Sequence, residues 1–298
     1  MTPPRVVALI GINTIWGLSY VVAKDALAAT PPIVLAFLRF SLAALILLPL
    51  AILRREDVSG RPLRGAGPAI VGLFSFCGSY VLLYVGMSMT SATETAILVN
   101  LEPIFTALFG WLFLSEKMDR RRLLGILVAF CGAVLLIRPE PLPSTHAGET
   151  VLWRTIGNAC VIAGMAVESA ATVLSRYLRD WYSSVGLASR AVAWGALFLA
   201  LPAVMQWQAA SSPTAWLSPK PLAEIAYLSL GCTVVAYLGW YRILARTEAG
   251  KAASFIYLQP VVGIAAGIAL LGEPLRISAA AGAVLILAGI FLTSRSAG

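Results

Sequence analysis

Apolar residues occupy this chain in long unbroken blocks separated by short polar clusters, and the length of the blocks predicts the elements. Ten blocks stand out, at about 6–27, 32–53, 67–87, 92–114, 123–138, 152–175, 184–205, 222–243, 250–271 and 277–294. Most fall in the range of roughly 17 to 25 residues that crosses a hydrocarbon core of about 30 Å as a helix. The fifth is the shortest. Membrane strands would instead alternate in polarity over segments of roughly ten residues, and these blocks do not alternate. Gly and Pro inside several blocks are what membrane helices tolerate. The expected fold class is an all-α membrane protein of ten transmembrane helices.

Composition agrees on the solvent. Hydrophobic residues make up 59% of the 298 positions and charged residues 12%, against roughly 45–50% and about 25% in soluble domains. Arg5 ahead of the first block, with Ala26-Leu27-Ala28 at its end, outlines a signal peptide. The block outruns a typical signal core of about 7 to 15 residues, so a first transmembrane helix is expected. With the N-terminus cytoplasmic, fifteen Lys and Arg residues gather inside, five outside, and Arg39 and Arg190 stay within spans. That bias follows the positive-inside rule and puts both termini in the cytoplasm. The net charge of +8 then reflects topology rather than nucleic-acid binding.

The chain also repeats itself. Residues 80–138 align without a gap on 237–295, a shift of 157, with about fourteen identities. Tyr80, Tyr84, Leu101, Pro103, Gly110, Glu116, Gly125, Gly132 and Arg138 meet Tyr237, Tyr241, Leu258, Pro260, Gly267, Glu273, Gly282, Gly289 and Arg295. So long a period excludes solenoids and propellers and marks half a protein, here about 1–143 and 144–298. Five helices per half is an odd number, so the second copy enters the bilayer inverted. Charge agrees: 87–93 holds no basic residue, whereas its mate 244–250 and flanks hold Arg242, Arg246 and Lys251. Inverted repeats give many secondary transporters two pseudo-symmetric conformations around a midplane site.

Other chemistries lack their residues. Cys77, Cys131, Cys160 and Cys232 lie within spans without metal-pair spacing, as small apolar packers. His146, the only histidine, sits in a Pro-rich loop. No phosphate loop, zinc motif or Ser/His/Asp set occurs. No enzyme activity, cofactor or metal is expected. Trp16-Gly17 with Lys24, Leu38-Arg39-Phe40, Leu101-Glu102-Pro103 and Ser115-Glu116, mirrored by Leu258-Gln259-Pro260 and Gly272-Glu273-Pro274, resemble the drug/metabolite transporter superfamily with tandem EamA domains. Within it the chain looks most like YddG-type exporters of aromatic amino acids. The resemblance implies a basket with a central cavity lined by helices 1, 3, 4, 6, 8 and 9, with 5 and 10 outside. Helices 5 and 10 are indeed almost free of polar side chains between their ends, and lipid-facing polarity is costly.

On helix 3, Phe76, Tyr80, Leu83 and Tyr84 share an α-helical face, repeated on helix 8 by Thr233, Tyr237, Trp240 and Tyr241. Such walls offer ring stacking or cation contact worth roughly 0.5–1.5 kcal/mol each. Alternatively, Tyr84 and Tyr241 belong to interfacial aromatic belts. Glu102 sits midway along helix 4, where a charge costs about 2.5–3.5 kcal/mol and must be protonated, paired or wet. Its mate is neutral Gln259. Either the pair bridges the helix breaks at Pro103 and Pro260, or Glu102 couples protons. Glu168 on helix 6 either holds a substrate ammonium or pairs with Arg190 or Lys24; Lys24 itself snorkels to the surface or meets a carboxylate. Gly263 and Gly267 read as a close-packing pair.

The expected cavity lining comprises Trp16, Tyr20, Ser79, Tyr80, Leu83, Thr95, Glu102, Glu168, Ser169, Tyr237, Trp240 and Tyr257, with Asn100, Thr172 and Ser254 as further candidates. The expected function is export of small amphipathic metabolites, aromatic amino acids foremost, across an inner membrane by alternating access. Efflux of cationic drugs and a passive channel are the alternatives. The expected partners are the small-molecule substrate and membrane lipid, with no nucleic acid and a monomer as the unit.

Overall fold

A computed structural model describes residues 3–53, 66–115, 118–137, 151–178, 182–210, 214–244, 254–274 and 277–294. His146, Glu116 and Lys251 lie outside them, as do the side chains of Tyr241, Ser254 and Tyr257. The first half holds α1 (Pro3–Ala26), α2 (Pro32–Leu53), α3 (Ala66–Met89), α4 (Ala92–Leu114) and α5 (Arg120–Ile137). The second holds α6 (Val151–Leu178), α7 (Ser184–Gln208), α8 (from Pro219–Ala226 through Ala236–Leu244), α9 (Leu258–Leu271) and α10 (Ile277–Ser294). Seven helices among the described residues are long and apolar enough to cross a membrane, and α9 and α10 are shorter apolar helices.

Local chemistry sets the boundaries. Ser91 caps α4 by accepting the Glu94 amide at 3.0 Å, and Ser183 caps α7 by accepting the Gly186 amide at 2.9 Å. Pro32 and Pro219 open α2 and α8, where a missing N–H costs nothing. The carboxyl ends of α4 and α9 fall at repeat-equivalent residues in the left-handed region, Ser115 at φ 55° and Gly272 at φ 65°.

The inversion is visible in the packing of α5 on α10. A Cβ at Gly132 would lie 2.7 Å from the Gly282 carbonyl oxygen, and one at Gly289 would lie 2.5 Å from that of Gly125. Gly125 and Gly132 are the repeat mates of Gly282 and Gly289, so the contact is self-complementary. An early residue of α5 meets a late residue of α10, so equivalent helices run antiparallel, as an inverted repeat requires. The α2–α7 pair does the same: Gln206, late in α7, accepts the Ile33 amide at 2.7 Å, early in α2. Outward-facing side chains such as Leu53, Leu201 and Ile277 are 81%, 70% and 88% exposed, the apolar surface a lipid solvent would cover.

Two helices depart from α geometry at equivalent places. In α3 the stretch Gly72–Gly78 is π-helical, closed by the Ser79 amide on the Phe74 carbonyl; in α8 Tyr227–Val235 is π-helical, closed by Ala236 on Gly231. Each wide turn adds a residue and rotates the amino-terminal part of its helix relative to the carboxyl-terminal part. The stripes read with an α period therefore break. Phe76 leaves the cavity face and packs instead near Leu47, Val185 and Val192. Thr233 is fully buried and bonds the Leu228 carbonyl five residues back at 3.0 Å.

Candidate functional site

A cavity of about 420 Å³ lies at the centre of the bundle, walled by residues of α1, α2, α3, α4, α6, α8 and α9 together with Ile256. Polar contacts join the helices at the distal end of the bundle, away from the N-terminus. Lys24 Nζ donates to the Met87 carbonyl at 2.9 Å, at the carboxyl end of α3. The Glu273 carboxylate accepts the Ala92 and Thr93 amides at 2.7 and 2.8 Å, filling the amino end of α4. Glu94, 3% exposed, pairs with Arg154 and accepts from Thr90 at 2.6 Å and Asn158 at 3.1 Å. This cluster escaped the sequence reading, although Ser91-x-x-Glu94 is a capping-box spacing.

One wall of the cavity is aromatic. Trp16 of α1 lies between Tyr237 and Trp240 of α8, with ring centroids 5.7 and 5.6 Å away at 68° and 59°. Its Nε1 donates to the Cys232 carbonyl at 3.1 Å, a carbonyl inside the π-helical stretch. Tyr20 donates to Gln259 Oε1 at 3.3 Å, and Gln259 Nε2 donates to Asn13 at 3.0 Å. The repeat mate of Glu102 is thus committed to α1. The helix break it neighbours is a 3-10 turn, Ser254–Tyr257, ahead of Pro260, which is itself buried; the matching turn Val99–Leu101 precedes Pro103, which lines the cavity.

The charged residues of the lining are Arg39, Glu102 and Glu168. Arg39, absent from the expected lining, is 5% exposed; its Nε donates to Thr233 at 3.0 Å and its Nη1 to the Tyr84 hydroxyl at 2.7 Å. Its guanidinium lies over the Tyr80 and Phe40 rings at 4.9 and 5.4 Å. Tyr84 is therefore a buried partner of Arg39 and not an interfacial belt residue. Glu168 accepts Ser75 Oγ at one carboxylate oxygen and Ser79 Oγ at the other, the latter at 2.9 Å. Neither Arg190 nor Lys24 is its partner. Arg190 donates to the Gly186 carbonyl at 3.0 Å and stacks on Tyr182.

Of the expected lining, Trp16, Tyr20, Ser79, Tyr80, Leu83, Glu102, Glu168, Tyr237 and Trp240 are brought together here, with Asn100 and Thr172. Two are not. Thr95 is fully buried, its hydroxyl bonded to the Ser91 carbonyl at 2.8 Å. Ser169 is fully buried and donates to the Glu102 carbonyl at 2.8 Å. The carbonyl that Pro103 leaves without its usual partner, that of Val99, accepts the Glu102 amide, so the break does not depend on the Glu102 side chain. Tyr257 lies outside the described side chains. Among the described residues no group of His, Cys, Asp and Glu could hold a metal ion.

Ten helices in two inverted halves around such a cavity match a known pattern twice over, since one family profile fits residues 4–138 and again 155–295. The chain belongs to the EamA-like transporter family. This EamA-like transporter is 30% identical, over 94% of its length and 91% of the relative's, to a probable amino-acid metabolite efflux pump of Salmonella typhimurium. It is 26% identical to a protein of the same description from Escherichia coli, over 94% and 91%. An uncharacterized transporter of Archaeoglobus fulgidus is 28% identical over 95% of each chain. A solved crystal structure matches this EamA-like transporter with a TM-score of 0.62 at 18% identity, covering 98% of this chain and 96% of the other, a likeness of fold.

Proposed function

We propose that this multi-pass transporter exports small amphipathic metabolites, foremost amino acids with aromatic side chains, across the cytoplasmic membrane by alternating access. The observation that carries the reading is the composition of the central cavity. A ring-lined wall of Trp16, Tyr237 and Trp240 suits an apolar side chain, and the charged groups beside it, Arg39, Glu102 and Glu168, suit a substrate with a polar end. The volume, about 420 Å³, is within the roughly 300–1,000 Å³ of small-molecule sites. The relatives described as probable amino-acid metabolite efflux pumps support the same class. Inverted halves supply the two-state machinery, because exchanging the conformations of the repeats exchanges the open side.

Counterflow in proteoliposomes tests this. Vesicles preloaded with unlabelled phenylalanine are expected to accumulate labelled phenylalanine or tryptophan transiently, with saturation. Saturable counterflow limited to organic cations that lack a carboxylate would replace the amino-acid reading with drug efflux. Flux that neither saturates nor shows counterflow would indicate a channel.

A further inference from the structure

Among the three charged groups of the cavity, one is unspent. Arg39 is committed to Thr233 and Tyr84 and lies over the Tyr80 ring. Both oxygens of Glu168 are engaged by serine hydroxyls. The Glu102 carboxylate accepts no hydrogen bond and forms no ion pair among the described residues, yet it lines the cavity, and Glu168 is the neighbouring charge that acts on it. Its repeat mate Gln259 differs, with both amide atoms bonded to α1. The break at Pro103 does not need it either, because the Glu102 amide meets the Val99 carbonyl that the proline leaves. A carboxyl at this depth without a protein partner is protonated or wet while the cavity is empty. An arriving cation is the partner that would favour its charged form, since a second carboxyl stands nearby and the Arg39 guanidinium is engaged elsewhere.

We propose that Glu102, backed by Glu168, is the ammonium site of this transporter and that a protonated amine, rather than a carboxylate, is what the cavity selects. The inference rests on the amino-acid reading above and narrows it. The amine donates to Glu102, the side chain lies against Trp16 and Trp240, and the substrate carboxylate adds little. Removing the carboxylate from a substrate is then tolerated. Acylating the amine is not.

The test compares four ligands of one ring size as inhibitors of phenylalanine counterflow: phenylalanine, phenethylamine, N-acetylphenylalanine and phenylacetate. Phenethylamine is expected to compete within about tenfold of phenylalanine. N-acetylphenylalanine and phenylacetate are expected to be weaker by about tenfold or more, the worth of a charge-assisted hydrogen bond. Glu102→Gln, which keeps the shape, is expected to erase this preference, whereas Ser169→Ala, which only exposes a carbonyl, is expected to keep it. Phenylacetate competing as well as phenethylamine would overturn the inference while leaving amino-acid transport intact. So would a Glu102→Gln variant that still prefers the amine. If phenylalanine shows no counterflow but labelled phenethylamine does, the amine site stands and the amino-acid reading falls. The ligand series on the unaltered protein decides the matter even if Glu102→Gln fails to fold.

Discussion

The Glu94–Arg154 pair at the distal end joins α4 to α6 and lends itself to a stability measurement with a definite size. Arg154→Met keeps most of the side-chain volume and removes the charge, leaving Glu94 at 3% exposure with Thr90 and Asn158 still bonded to it. Stranding one member of a buried pair costs about 3–5 kcal/mol, and the surviving hydrogen bonds place this case near 3. With an unfolding entropy of about 2.1 cal/mol/K per residue, a chain of 298 residues loses roughly 5 °C in Tm. Adding Glu94→Gln removes the surviving buried charge, so the double variant is expected to regain more than half of the loss. The assay is thermal unfolding in detergent, followed by the monodisperse fraction on size exclusion, for the two single variants and the double. An Arg154→Met midpoint within a degree of the parent, or a double variant whose losses simply add, would refute the reasoning.

Other expectations are briefer. Trp240→Ala or Tyr237→Ala should weaken apparent affinity for phenylalanine and tryptophan by about three- to tenfold, the worth of lost ring contacts, with folding retained; unchanged half-saturation would count against the aromatic wall. Gly289→Ala should lower the thermal midpoint, because its Cβ would lie 2.5 Å from the Gly125 carbonyl oxygen and 2.7 Å from Ala129, an overpacking of about 1–3 kcal/mol. Transport per folded molecule should persist, since α5 and α10 do not line the cavity. Arg39→Lys should lose affinity or stability although charge is kept, because an ammonium cannot bond Thr233 and Tyr84 while lying flat over Tyr80.

The transmembrane plan could be read in the sequence because the bilayer imposes a length on every span and the repeat doubles the signal. The acids of the cavity were legible for the same reason: a carboxylate in a span is costly enough to announce itself. Hydroxyls carry no such mark. Thr95 and Ser169 bond backbone carbonyls instead of facing the cavity, and a threonine or serine satisfied by its own backbone looks the same in sequence as one reaching for a ligand. Arg39 was visible as an intramembrane cation but not as a cavity residue, because its partners Thr233 and Tyr84 come from α8 and α3, far away in sequence. The displacement of Phe76 and Thr233 was hidden by the assumption of 3.6 residues per turn, since nothing in Gly72–Gly78 or Tyr227–Val235 spells out a wide turn.

Those wide turns give both walls an unusual tolerance and an unusual vulnerability. Dropping a single amino acid from either stretch would restore regular α spacing and leave everything beyond it on nearly the same face, because the wide turn had absorbed one residue's rotation; dropping two would swivel everything beyond it by about 100°. After the double loss Tyr80 and Ser79, or Tyr237 and Trp240, would point away from the passage while the span kept its hydrogen bonds. A folded, correctly inserted and transport-dead protein is the expected product of such a two-residue deletion, and the angular setting of the two walls is a property of chain length rather than of any side chain.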